Sequence, residues 1–76
     1  MSGLTNHQAA RVIADVAELH KLAPELITGR DWTRLACAAR RAVWTRLVDM
    51  GASVTEAGYA TGHHHTTVLH GLGRRG

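Results

Sequence analysis

The stretch that decides the fold is Ser53-Val54-Thr55-Glu56-Ala57-Gly58-Tyr59-Ala60-Thr61-Gly62-His63-His64-His65-Thr66-Thr67-Val68-Leu69-His70. Its first four residues satisfy the capping-box pattern, in which Ser serves one orphan amide of a helix start and Glu reaches back to another. The helix opened there is short, because Gly62 interrupts it. A second pattern then starts at His63, polar first and apolar at Val68, Leu69 and Leu72. Two short helices joined by a Gly-containing turn predict a helix-turn-helix. Closely crossing helices need a small residue in the first, Gly in the turn for a positive φ, and an apolar residue that locks the second. Gly58, Gly62 and Val68 stand at that spacing, while Thr61 occupies a place where a bulkier apolar residue is common.

Upstream the periodicity is helical and no run alternates as a strand would. A cap at Thr5 or Asn6 precedes Ala9, Val12, Ile13, Val16, Leu19 and Leu22, an apolar stripe that defines a first helix. Pro24 starts a short second helix with Glu25, Leu26 and Ile27, and Gly29 stops it. Asp31 is the expected cap of the longest helix, with Trp32, Leu35, Ala39, Val43, Leu47 and Met50 on one face and Gly51 at its end. Trp32 and Trp44 read as core and core-edge packing, and Cys37 as a small packing residue. The sum is one all-α domain over residues 1–76, a compact bundle of about five short helices containing the helix-turn-helix, with residues 73–76 as a flexible tail.

Composition narrows the function. The chain has 76 residues with twelve Ala and no Phe, so a catalytic cleft of its own is not expected. No nucleophile with its base, no paired carboxylates and no closed ligand set can be assembled, which argues against an enzyme and against any cofactor. One Cys excludes an internal disulfide, and no apolar run reaches the length of a membrane span. A soluble, cytoplasmic chain without membrane or small-molecule partners is expected. The net charge is +3 with His neutral, and eight of the nine basic residues are Arg. Arg presents a planar fork suited to phosphates and guanine edges, so an anionic partner is favoured. His63, His64 and His65 invite a metal, but successive helical residues point about 100° apart and no pair has the four-residue spacing that shares a face.

The run His65-Thr66-Thr67-Val68-Leu69-His70, with Met50-Gly51, Thr55-Glu56-Ala57-Gly58 and Gly62, resembles the C-terminal DNA-binding domain of the bacterial replication initiator DnaA. Pro24-Glu25-Leu26-Ile27, Arg30, Arg34 and Ala39-Arg40-Arg41 are similar to that family's acidic-leucine turn, basic loop and Arg-bearing long helix, so the likeness spans roughly residues 8 to 72. It implies sequence-specific recognition of double-stranded DNA. The final helix would enter the major groove, with His64, His65 and Thr66 reading bases. Thr67, Arg40 and Arg41 would hold phosphates, His63 joins the DNA-binding set, and His70 is a phosphate-side or core-edge residue. Arg34 is the best match for the family's minor-groove Arg, with Arg30 as competitor.

The family has Asp where this chain has His64; a carboxylate suits the cytosine amino group, whereas His can donate to guanine, so base preference should differ there. The initiator's phosphate-binding loop is missing, so a free-standing module or a fragment of a longer regulator, working with its other domains or the transcription machinery of a bacterium or phage, is expected. The expected function is that of a transcription regulator's DNA-binding module, with replication control as a variant. The alternative is a protein-docking domain that uses the exposed face of the third helix. Arg46 is set aside, since its spacing to Asp49 suits an ion pair.

Overall fold

The computed structural model describes residues 5–73. Among them are five helices and no strand: α1 (Asn6–Leu19), α2 (Pro24–Thr28), α3 (Arg34–Asp49), α4 (Val54–Thr61) and α5 (His65–Gly71). No helix among the described residues is long and apolar enough to cross a membrane. Residues 74–76 of the expected tail lie outside the described residues, and Gly73 belongs to the turn after α5.

Local chemistry sets most helix ends. Thr5 caps α1 through its hydroxyl on the Gln8 amide, and the Gln8 side chain returns a bond to the Thr5 amide. Ser53 and Glu56 make the same reciprocal pair at α4. Pro24 stands in the first turn of α2, where its missing N–H costs nothing. Three helices end in the same paired turn, in which one amide bonds three residues back and the next bonds five back: Lys21 and Leu22 after α1, Gly51 and Ala52 after α3, Gly62 and His63 after α4.

α3 is the hub, packing against each of the other four helices. Val16, Ile27, Val43, Leu47 and Val68 are fully buried around it, together with Ala36, Ala39 and Ala57. Small residues at these positions let the helices approach closely. The radius of gyration is 11.2 Å, against about 11.4 Å for a compact chain of this length.

The inner face of α3 differs from the expected one. Its buried line is Ala36, Ala39, Arg40, Val43, Trp44 and Leu47. Trp32 and Leu35 are each 61% exposed and Met50 is exposed, so the predicted stripe is rotated at both ends. The cap is Thr33, whose hydroxyl accepts from the Ala36 amide; Asp31 instead bonds the Thr33 amide at 2.9 Å. Because α3 starts at Arg34, Trp32 lies before the helix and escapes its core-facing register. At the end of α1, Leu19 is likewise exposed, and Leu22 packs on the core from the turn beyond.

Arg40 is the second correction. Expected on the phosphate-binding surface, it is 1% exposed, with its guanidinium bonded to backbone carbonyls. Its Nε donates to the Ile27 carbonyl at 2.8 Å, and Nη2 reaches the carbonyls of Leu26 and Asp31 at 2.9 Å and of Gly29 at 3.3 Å. A buried cation must find acceptors, and the end of α2 and the connection to α3 supply them as backbone carbonyls, that of Gly29 being shared with His63. Arg40 therefore holds the 26–31 segment in shape.

Candidate functional site

The turn between α4 and α5 organises the surface where the sequence-predicted residues gather. Gly62 adopts φ +74, which an L side chain rarely accepts. Gly58 faces the turn so closely that a Cβ there would stand 2.5 Å from the His63 carbonyl oxygen and 3.2 Å from a Val68 methyl. Val68 is fully buried beneath it. Thr61 is also fully buried, and its hydroxyl accepts from the Trp44 indole N–H at 3.0 Å. The polar atom at that core position is thus matched to a polar atom on α3.

His63 lies inside the turn, half-buried between Trp32 and Trp44, whose rings meet it edge-on at 5.8 and 5.9 Å. Its Nε2–H donates to the Gly29 carbonyl at 3.1 Å, tying the α2–α3 connection to the α4–α5 turn. Burial, followed by the charge of Arg40, holds His63 below the ordinary imidazole range, against the opposing pull of the Gly29 carbonyl.

His64 is the N-cap of α5. Its Nδ1 accepts from the Thr66 amide at 3.3 Å and from the Thr66 hydroxyl at 2.8 Å. An accepting Nδ1 requires the tautomer that carries its proton on Nε2, so the ring's remaining polar atom is a donor. The His65 ring lies 4.3 Å from the His64 ring, and His64, His65 and Thr66 are all exposed.

Two clefts flank α5, and Trp32 and Thr67 line both. One, of about 250 Å³, is bordered by Arg30, Gly62, His63 and His64. The other, of about 220 Å³, runs between α3 and α5, bordered by Cys37, Arg41, Trp44 and His70. The structure therefore brings together Arg30, Arg41, His63, His64, Thr67 and His70, with His65 and Thr66 exposed on the same helix start. Arg34 is exposed at the first position of α3 and borders neither cleft. Arg40 borders the second cleft, but its guanidinium is consumed as described.

No carboxylate borders either cleft. A third groove, between α1 and α3, is bordered by Asp15, Glu18, Leu19 and Arg46, so acidic groups collect there instead. Among the described residues no group of three or more His, Cys, Asp or Glu could hold a metal ion.

Sequence reasoning missed the buried role of Arg40 and the exposure of Trp32. A signal for the first was present: positions 36, 40, 43 and 47 follow the three- and four-residue spacing of a buried face, with Arg among apolar residues. In comparisons with known proteins, no family model, no curated protein and no solved structure matches the chain.

Proposed function

We infer that the protein binds double-stranded DNA, with α4 and α5 acting as a helix-turn-helix and α5 as its reading helix, in the role of a transcription regulator's DNA-binding module. The observation that carries the reading is the carboxylate-free cleft in which Arg30 of the basic loop and His64 and Thr67 of the α5 region share one rim. Base contacts and phosphate contacts must be made from one rigid surface for a sequence to be read in register. Exposed His64, His65 and Thr66 supply donors, acceptors and a methyl at one helix start. Arg30 and Arg41 are exposed beside it, and Arg34, exposed at the start of α3, is the residue assigned to the neighbouring minor groove.

The tight Gly58–Val68 approach and the left-handed Gly62 support the helix-turn-helix reading, as does the resemblance of the His65–His70 run to the initiator's DNA-binding domain. Replication control would use the same contacts. The competing reading, a protein-docking domain, draws on the exposed Leu35 and the outer face of α3.

Titration of a labelled random-sequence duplex across a salt series separates the two. A DNA-binding module loses affinity steeply as salt rises, because each neutralised phosphate releases counterions. Absence of duplex binding at low salt would leave the protein-docking reading standing. Selection of sites from a random pool would then define the operator.

A further inference from the structure

We propose that Trp32 is a DNA-backbone contact, its outward-facing indole packing on the deoxyribose of a strand whose phosphates are taken by Arg41, Thr67 and His70. The proposal rests on the DNA-binding reading and adds to it an apolar contact from outside the reading helix. Trp32 is 61% exposed, yet it is held in place: the Arg40 guanidinium lies 5.1 Å from its ring centroid, and the His63 ring meets it edge-on at 5.8 Å. Arg40 is in turn fixed by four backbone carbonyls, so the support under the indole is rigid. A large aromatic fixed outward keeps apolar area in water that inward packing would have removed.

Its surroundings specify the occupant. Trp32 forms the ridge between the two clefts beside α5, with Arg30 on one side and Arg41 and His70 on the other. The nearest acidic side chain in sequence, Asp31, is turned onto the Thr33 amide at 2.9 Å. An apolar ridge between cationic and hydroxyl-bearing rims matches a polymer in which apolar sugar faces alternate with anionic phosphates. An acidic protein would match the charge alone. Because the sugar is common to every nucleotide, the contact strengthens binding without choosing sequence.

The test compares wild type, Trp32→Ala, Trp32→Phe and Arg41→Ala by anisotropy titration of a random-sequence duplex across a salt series. An uncharged contact leaves the slope of log affinity against log salt unchanged. Trp32→Ala is expected to weaken binding roughly five- to tenfold at every salt concentration. Trp32→Phe should recover part of the loss, and Arg41→Ala should reduce the slope by about one unit. In the wild type, the acrylamide-quenchable tryptophan emission belongs to Trp32, since Trp44 is buried, and it should become protected when duplex is added. This readout decides the matter even if Trp32→Ala fails to fold. Wild-type affinity in a folded Trp32→Ala variant, or emission that stays quenchable in the DNA-bound protein, overturns the proposal while leaving DNA binding intact. A wild type that binds no duplex overturns both readings, and protection of Trp32 only by an acidic protein would assign the ridge to protein docking.

Discussion

The indole N–H of Trp44 and the hydroxyl of Thr61 meet at 3.0 Å in the buried contact between α3 and α4. The hydroxyl proton is shared in turn between the Ala57 and Gly58 carbonyls, so each polar atom is satisfied without water. Thr61→Val keeps the shape and removes the acceptor, leaving a buried indole N–H unpaired. A loss of about 1–3 kcal/mol is expected in urea unfolding. Thr61→Ser should restore most of it, and equal stability of the Val variant would show that the bond contributes little.

Arg40 gives the largest stability effect expected here. Arg40→Met retains a long side chain and leaves the carbonyls of Leu26, Ile27 and Asp31 without their donor, while Gly29 keeps only its bond from His63. Charged hydrogen bonds are the strong ones, and a loss of about 3 kcal/mol or more is expected. On the proposed DNA-binding reading, the salt dependence of duplex binding should persist in whatever fraction remains folded. A stable Arg40→Met protein with flattened salt dependence would return Arg40 to the phosphate-binding set.

Arg34 should behave in the opposite way. It is exposed at the first position of α3, where the positive end of the helix dipole disfavours a cation. Arg34→Ala should therefore leave stability unchanged or raise it by a few tenths of a kcal/mol. On the proposed DNA-binding reading, duplex affinity should fall by about 1–3 kcal/mol. Thermal melts and duplex titrations of the same sample measure both, and undiminished affinity would remove Arg34 from the interface.

His63 makes the fold sensitive to acid. Burial and Arg40 hold its folded-state proton affinity below that of the unfolded chain, so the unfolded state binds the extra proton first. Its contribution is fully present above about pH 6.5, the ordinary imidazole value, and is lost as pH falls through that value toward the folded one. Melting temperatures between pH 8 and pH 5 should fall on the acid side in the wild type, and His63→Gln should reduce that dependence. An identical pH profile in the variant would mean that another group carries it.

His64→Asp separates reading from folding. Asp is a strong N-cap residue, so the variant keeps an acceptor for the Thr66 amide and should not weaken α5. It also exchanges a ring whose Nε2–H donates for a group that only accepts. With α5 as the proposed reading helix, the preferred base at one position should shift from guanine toward cytosine on the contacted strand, with neighbouring positions unchanged. Site selection that returns the wild-type motif would mean that this side chain reads no base.

What the sequence determined by itself is the set of features written in short-range chemistry. Capping at Thr5 and Ser53, the start at Pro24, and the ends at Gly51 and Gly62 depend on bonds between residues a few positions apart, and a linear reading reaches them. The order and number of the helices follow. Which side of α3 turns inward is different in kind, because it depends on what the other four helices bring against it. Arg40 is buried because the Leu26 to Asp31 segment turns backbone carbonyls onto its guanidinium, and Trp32 is exposed because Thr33 rather than Asp31 starts the helix. Thr61 is tolerated in the core because Trp44, seventeen residues earlier, turns its one polar atom toward it. These outcomes belong to the tertiary structure: a polar group's place inside or outside is set by the partner it finds, and that partner is distant in sequence.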